Sequence, residues 1–280
     1  MGSGKEKKAL SETRKKQKKK KELSLRPKQL KTKKKNKRNG NEKEMENEKT
    51  NTSTGKKGNG VIQSPTVSEQ LDFFIHQYQS ANRVQLSSLE LESFKDTCMV
   101  ELLRDETNNT RTLGEIMKFA FGPSWNSLLC KNTLVAEKVE PGHPALLVIS
   151  SSAIRSLELL RELRPFTREC PAAKLFSKHM KIEEQVSVLK NRVNIASGTP
   201  SRIKKLIDME ALGLSRLSVL VLDMQMDVKG YSLLTLPQVR DEMWDLYKSY
   251  FHEKVLEGTL RMCLFGPLPK ISEARKVDDE

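Results

Sequence analysis

A short run at residues 198–202 has the composition of a phosphate-binding loop. Gly198, Thr199, Pro200, Ser201 and Arg202 follow an apolar run and open an amphipathic one. Thr199 is placed to cap that helix, and Pro200 suits its first position, where a missing N–H costs nothing. Because the amino terminus of a helix attracts anions and Arg202 adds a positive charge, the run predicts contact with a phosphate backbone. The alternative is an ordinary Thr-Pro helix start.

A second loop places polar side chains directly after an apolar run. Ser151 and Ser152 follow residues 145–149 and precede a helical pattern, which they can cap. Capping alone explains these two serines. With Arg155 in the first turn of the same helix, however, the group also fits contact with a phosphate backbone beside Arg202.

Further candidates for contact with nucleic acid are lysines and aromatic residues. Lys204 and Lys205 extend the positive charge of Arg202 along its helix, although a solvated helix face explains them nearly as well. Widely separated cysteines and scattered histidines match no zinc motif and no catalytic order, so we expect no cofactor, metal or small-molecule substrate. Five aromatic residues could stack on bases, but helical spacing predicts that most of the last four are core residues: Trp125, Trp244, Tyr247, Tyr250 and Phe251.

The elements that must position these loops alternate between strand and helix after residue 141. Helical segments separate the apolar runs, so neighbouring strands must run parallel, because only a crossover joins parallel neighbours. We therefore predict one doubly wound parallel α/β sheet of about five strands, with ligands bound at its carboxyl edge. The predicted strands are residues 145–149, 174–176, 192–196, 217–222 and 260–265, and the edge loops are residues 150–152, 197–202 and 223–227.

Charge divides the 280-residue chain into a basic arm and a near-neutral body. Residues 1–60 contain 22 Lys and Arg against 7 Asp and Glu, whereas the remainder has 28 against 29. We predict a disordered tail and linker over residues 1–64, since such a segment cannot bury enough apolar surface to offset its entropy. A mainly helical segment, in which Ser68 caps the first helix, is expected over residues 65–140. The α/β domain is expected over 141–268 and a carboxyl-terminal tail over 269–280.

Two basic clusters in the arm favour nuclear import and contact with phosphates over a merely solvating role. Neither cluster implies recognition of a particular base sequence. No apolar run in the chain approaches the length of a membrane span, so no membrane partner is expected. The clusters consist of Arg14, Lys15, Lys16, Lys18, Lys19, Lys20 and Lys21, and of Lys33, Lys34, Lys35, Lys37 and Arg38.

The three edge loops together resemble the first RecA-like domain of DEAD-box RNA helicases. Residues 198–202 are close to the G-T-P-G-R element that holds the RNA backbone in helicases, and residues 151–155 stand at the place of P-T-R-E-L-A. At the place of V-L-D-E-A-D, Met224 replaces the catalytic glutamate, so that Asp223 alone remains as a potential metal contact. The Gly-Lys pairs of the chain, at residues 4–5 and 55–56, do not form a GxxxxGK[ST] phosphate loop. The resemblance implies a degenerate P-loop NTPase-like fold without ATP hydrolysis.

The chain is also similar to the Cms-one (CMSS-one) family of helicase-like pre-ribosome factors. The pattern S-S-A-x-R-x-L-E-L at residues 151–159 and the pattern G-T-P-x-R-I-K at residues 198–204 carry this resemblance, together with the basic arm. It implies a non-catalytic factor of the nucleus and nucleolus, with pre-ribosomal RNA and small-subunit pre-ribosome proteins as partners. The alternatives are a protein-only nucleolar adaptor and a residual ATP-dependent RNA helicase.

Overall fold

A computed structural model describes residues 65–102, 111–132, 140–178 and 180–268. The predictions for the basic arm and for the tail after residue 268 concern residues outside this described part. Within the described ranges, no helix combines the length and apolar character needed to cross a membrane.

In the described part of the chain, five parallel strands form a single sheet, as predicted. They are β1 (Leu146–Ile149), β2 (Ala173–Leu175), β3 (Ile195–Gly198), β4 (Val219–Asp223) and β5 (Arg261–Phe265), in the order β2-β3-β1-β4-β5. Every residue of β1 is fully buried, which explains why its sequence is apolar without alternation. Beyond β5, Met99 forms a parallel bridge to Met262, and this short segment covers part of the sheet edge.

Helices cover both faces of the sheet and make it doubly wound. One core cluster joins Leu147 and Ile149 to helices that include Ile203 and Trp244, and the other joins Val148 to Leu159. The helices are α1 (Val67–Asn82), α2 (Ser88–Ser93), α3 (Leu113–Phe121), α4 (Ala153–Glu162), α5 (Ile182–Leu189), α6 (Pro200–Asp208), α7 (Pro237–Leu246) and α8 (His252–Leu256), and a π-helical turn, Tyr247–Phe251, links the last two.

The third strand begins later than predicted. Residues 192–194 lie outside β3, because buried Asn194 serves the adjoining loop: its Nδ2 donates to the carbonyls of Leu129 and Lys131. The ladder instead continues through Ser197 and Gly198, which hydrophobicity does not mark as strand residues. The predicted range of residues 192–196 was therefore three residues early at its start and two residues early at its end.

The first two helices begin with capping boxes that the sequence prediction placed incorrectly or missed. Thr66, not Ser68, caps α1: its hydroxyl accepts from the backbone N–H of Glu69 at 3.2 Å, and the Glu69 carboxylate accepts from the Thr66 N–H at 2.7 Å. Ser87 and Glu90 make the same reciprocal pair at the start of α2. The S/T-x-x-E pattern satisfies two helix N–H groups at once, which favours these starts over a lone serine.

Helix α1 packs its aromatic side chains on α7 and the π-helical turn. The ring centroid of Phe74 lies 5.3 Å from that of Trp244 and 5.1 Å from that of Tyr247, and the ring of Tyr78 lies 5.6 Å from that of Trp244. Trp244, Tyr247 and Phe251 are at most 2% exposed, which confirms their predicted place in the core. Each such pair adds about 0.5–1.5 kcal/mol beyond burial, so α1 is anchored to the sheet domain.

Candidate nucleic-acid interface

The sheet brings the two predicted phosphate-binding loops together at its carboxyl edge. Strands β1 and β3 are neighbours, with Ile149 in register with Gly198. The backbone N–H of Ser150 donates to the carbonyl of Gly198 at 3.0 Å, so the loop before α4 starts beside the loop before α6. Because α4 begins at Ala153 and α6 at Pro200, the amino termini of both helices open on this edge.

Gly198 is needed for close strand packing, and it belongs to β3 rather than to the edge loop predicted over residues 197–202. A Cβ at this position would lie 2.0 Å from the backbone carbonyl oxygen of Leu175 in β2. No other residue type fits that distance without a backbone shift. The neighbouring Thr199 N–H donates to the same Leu175 carbonyl at 3.0 Å, which fixes the start of α6 against the end of β2.

The two helix starts are capped differently. Ser152 caps α4 as predicted, because its Oγ accepts from the Arg155 N–H at 3.3 Å. Thr199 occupies the N-cap of α6 and Pro200 its first position, but the Thr199 side chain makes no capping hydrogen bond in the described structure. The predicted cap was wrong in this respect, and the first N–H groups of α6 are therefore not satisfied by the side chain that precedes them.

Arg202 is tied to the loop that follows β2. Its Nη1 donates to Oε1 of Gln185 at 2.9 Å, and Nε2 of Gln185 donates to the carbonyls of Lys174 and Phe176, each at 2.9 Å. Gln185 is 1% exposed, whereas Arg202 is only half-buried. The buried amide thus orients the guanidinium, and the bond uses one of its five N–H donors.

The two lysines that follow on α6 point in different directions. Lys204 faces α7 and forms ion pairs with Asp208 at 3.3 Å and with Asp245 at 3.6 Å. The hydrogen bond to Asp208 raises the pKa of Lys204. Lys205 is exposed. The i, i+4 spacing of Lys204 and Asp208 is visible in the sequence, but the contact with Asp245 is not, because that carboxylate comes from a different helix.

Arg155 and Asp223 form a bidentate ion pair at the end of β4. Nε of Arg155 donates to Oδ2 of Asp223 at 3.0 Å, and Nη2 donates to Oδ1 at 2.8 Å. Nη1 donates to Glu158 at 2.7 Å. Asp223 is 1% exposed, and its hydrogen bonds raise the pKa of Arg155 still further above the usual value. The guanidinium therefore compensates a buried carboxylate, a role that the sequence did not indicate.

Two buried serines, Ser150 and Ser156, stabilise the loop between β1 and α4 through hydrogen bonds. The hydroxyl of Ser150 lies 2.7 Å from that of Ser156 and donates to the carbonyl of Ser152 at 3.1 Å. Neither Ser156 nor Gln185 was singled out in the sequence. The sequence did contain a signal for both residues: each is polar but stands at a position of its helix that the apolar pattern assigns to the core.

Comparison with known proteins decides the family. A family model described as CMS1, U3-containing 90S pre-ribosomal complex subunit, matches residues 3–265. The chain belongs to the CMS1 family. Protein CMSS1 of Xenopus laevis is 38% identical over 183 residues, covering 64% of this chain and 62% of that protein. Protein CMSS1 of Homo sapiens is 32% identical over 203 residues, covering 72% and 68%. The chain thus spans about two thirds of the length of these CMS1-family relatives.

Solved structures that match part of this chain include DEAD-box proteins. The yeast DEAD-box splicing factor Prp28 is 12% identical, with a TM-score of 0.36 over 51% of this chain and 33% of that chain. A DEAD box protein from Methanococcus jannaschii is 19% identical, with a TM-score of 0.35 over 71% and 52%.

The predicted membership of the Cms-one family is confirmed by the family model.

A cluster of Ser215, His143 and Glu140 in the CMS1-family chain lies near the opposite end of the sheet and does not form a catalytic triad. Nδ1 of His143 lies 2.5 Å from the Ser215 hydroxyl and 3.3 Å from the Glu140 carboxylate, so both partners share one ring nitrogen. Proton relay requires one partner on each nitrogen. A Cβ on Gly213 would lie 1.9 Å from Nε2, so the other nitrogen packs against backbone. Among the described residues, no group of three His, Cys, Asp or Glu side chains could hold a metal.

Proposed function

We propose that this CMS1-family chain is a non-catalytic subunit of the nucleolar small-subunit pre-ribosome that binds RNA at the carboxyl edge of its sheet. The family description supports a place in the pre-ribosome and, through it, in the nucleus. The observation that carries the RNA role is the pairing of two helix amino termini, those of α4 and α6, on adjacent strands beside the half-buried guanidinium of Arg202. Such termini favour phosphate oxygens.

Within this proposal, the backbone-binding edge consists of a small set of residues. The N–H groups of the first turn of α6 and the guanidinium of Arg202 receive phosphate oxygens, and exposed Lys205 adds charge one turn further on. Lys204 contributes to the potential of the same helix, while Arg155 positions the loop through its pair with Asp223. Ser151, Ser152 and Thr199 form the surface over which the sugar-phosphate backbone passes, and the buried Pro200 starts α6 beneath that surface. The basic arm adds phosphate contacts that strengthen binding without selecting a sequence.

The Arg155–Asp223 pair supports a non-catalytic role. Asp223 is the acidic residue that the helicase resemblance left as a potential metal contact, and both of its carboxylate oxygens accept from Arg155. A metal ion at this position would have to displace a guanidinium from a buried site. Met224, where a helicase has its catalytic glutamate, is fully buried and apolar. We therefore propose neither ATP hydrolysis nor a cofactor.

A protein-only adaptor is the second candidate, and one observation favours it. Three of the basic side chains near the edge already have partners inside the chain: Arg155 with Asp223, Arg202 with Gln185, and Lys204 with Asp208. The carboxylates of Asp223 and Asp208 offset the charges of Arg155 and Lys204 and so lower the electrostatic attraction of the edge for RNA, whereas the neutral amide of Gln185 leaves the charge of Arg202 in place. In that case the arm alone would contact nucleic acid.

Ultraviolet cross-linking of the full chain to single-stranded RNA, followed by mass spectrometry of the peptides, separates these functions. We expect cross-links at residues 150–155 and 199–205 that are lost on Arg202→Glu and unchanged by ATP with magnesium. Lys248→Glu is the matched control, because it makes the same charge change on an exposed helical position outside the edge. Cross-links confined to the arm would overturn the RNA role of the edge and support the adaptor. Cross-links that depend on ATP would support the alternative of a residual ATP-dependent RNA helicase.

A further inference from the structure

The structure removes most of the aromatic candidates for base stacking and leaves Trp125. Trp244, Tyr247 and Phe251 are buried in the core. Tyr250 is half-buried, and its hydroxyl donates to Asp208. Trp125 is half-buried at the surface, between α3 and the π-helical segment Asn126–Cys130. Of these two half-buried residues, Trp125 lines a cleft whose other lining residues include two cations, so its ring is the candidate that fits a ligand.

Trp125 lies in a cleft of about 190 Å³. The ammonium of Lys118 lies 5.0 Å from the centroid of the Trp125 ring, in a cation–π contact. The Phe166 ring, only 1% exposed, packs at a tilt with its centroid 5.5 Å from that of Trp125 and holds the indole in place. Lys118, Trp125, Asn126, Cys130, Pro165, Phe166, Arg168 and Glu169 line the cleft.

The charge of the cleft is positive. Lys118 and Arg168 are both exposed and supply two cations. The one acidic side chain among the lining residues, Glu169, forms an ion pair with Lys131 at 3.2 Å. An aromatic face, two cations and the amide of Asn126 match the three parts of a nucleotide: a flat base, a phosphate and the polar edge of the base.

We infer that the Trp125 cleft binds one unpaired nucleotide of RNA, with the base stacked on the indole and the phosphate between Lys118 and Arg168. Lys118 is exposed and flexible, so it leaves the ring face when a base replaces it and turns to the phosphate. The choice of RNA as the ligand rests on the proposed function, whereas the assignment of the cleft residues rests on the structure alone. The cleft follows the carboxyl end of α4, whose ten residues rise about 15 Å from the proposed edge, so one RNA chain can contact both sites.

Tryptophan fluorescence of the full chain tests this inference. The chain has two tryptophans, and Trp244 is 2% exposed, so a Trp244→Phe variant reports Trp125 alone. We expect single-stranded oligouridylate to quench this emission saturably, and inorganic polyphosphate, which offers charge without bases, to quench it much less. Trp125→Ala should weaken oligouridylate binding about tenfold once salt has suppressed the arm, while Trp125→Phe keeps most of the affinity.

Thiol labelling gives a second measurement on the unsubstituted chain, in case Trp244→Phe disturbs the core. Cys130 lines the cleft and is half-buried, whereas Cys98, Cys170 and Cys263 are buried. Oligouridylate should slow alkylation of Cys130 several-fold, and polyphosphate should not. The substitution Arg168→Glu should abolish this protection, and Lys248→Glu, an equal charge change elsewhere, should leave it intact.

The outcomes distinguish this cleft from the proposed edge. If oligouridylate binds to saturation, measured by anisotropy, without changing Trp125 emission or Cys130 alkylation, the cleft inference is overturned. Equal quenching by polyphosphate would also overturn it, because charge alone would then explain the signal. Cross-links that depend on Arg202 would survive either result. Conversely, quenching without those cross-links would leave the cleft standing and remove the edge.

Discussion

Replacing Arg155 by methionine should strongly destabilise the folded chain. The substitution keeps most of the side-chain volume but removes the guanidinium that compensates Asp223, whose side chain is 1% exposed. Loss of one partner of a buried pair costs about 3–5 kcal/mol, because the other charge remains buried and unpaired. The Arg155 side chain is 27% exposed, so water can partly replace it, and we expect about 3 kcal/mol. For a folded part of this size, the melting temperature should fall by about 6–12 °C.

A double-mutant cycle measured by urea unfolding separates this cause from lost packing. The variant Arg155→Met with Asp223→Leu removes both charges, so it should be more stable than Arg155→Met alone, with a coupling energy of about 2 kcal/mol. Arg240 pairs with Asp241 at an exposed position, and Arg240→Met should change the free energy of unfolding by less than about 0.5 kcal/mol. If the double variant were less stable than Arg155→Met, or if the two single effects simply added, the compensation argument would be refuted.

Two further predictions concern the strand packing and the buried thiols. Gly198→Ala places a Cβ against the Leu175 carbonyl and should lower the free energy of unfolding, measured in urea, by about 3 kcal/mol. Gly114→Ala is the control and should cost far less, because the nearest atom to a Cβ there, the Glu162 carbonyl oxygen, lies at 3.4 Å. Similar costs for the two variants would contradict the close-packing explanation. Burial raises the pKa of the Cys263 thiol to about 12 and that of Cys98 to about 11, from a usual value of 9.0. The pKa of each thiol is higher in the folded chain than in the unfolded chain. The contribution of the neutral, buried thiols to the free energy of unfolding is therefore complete below pH 9 and declines as the pH rises above 9. The melting temperature should therefore fall between about pH 8.5 and pH 11 less steeply in Cys263→Ala, and an unchanged slope would contradict this assignment.

The fold could be predicted because its signals are local. Strands β1, β4 and β5 coincide with short apolar runs, and the helical segments between the runs permit only parallel pairing. The misplaced boundary of β3 and the misplaced cap of α1 have the same origin. Ser197 and Gly198 extend a ladder whose partner strand supplies the hydrogen bonds, and Thr66 gains its advantage from a glutamate three residues later. In both cases a hydrogen-bond partner outweighed the apolar pattern.

The location of the candidate site was predictable from the sequence, but its hydrogen bonds and ion pairs were not. Pro200 and Ser152 act at helix starts as their residue types indicate. The partner of Arg155, however, lies 68 positions away in sequence, and that of Arg202 lies 17 positions away on another helix. The sequence offered Trp125 as one of five aromatic candidates, and only the structure showed that it lines a cleft with Lys118 and Arg168. Residue type gives the chemistry that a side chain can perform, but not which side chains it meets.

The sequence by itself determined the basic arm, the parallel α/β architecture and the gathering of two polar loops at one edge, because composition and periodicity act within each segment. Only the tertiary structure decided that Asp223 is bound by a guanidinium, that Gly198 is pressed against a neighbouring strand and that Trp125 faces a cationic cleft. Those features depend on distances between segments far apart in the chain, and such distances are set by packing rather than by any local pattern.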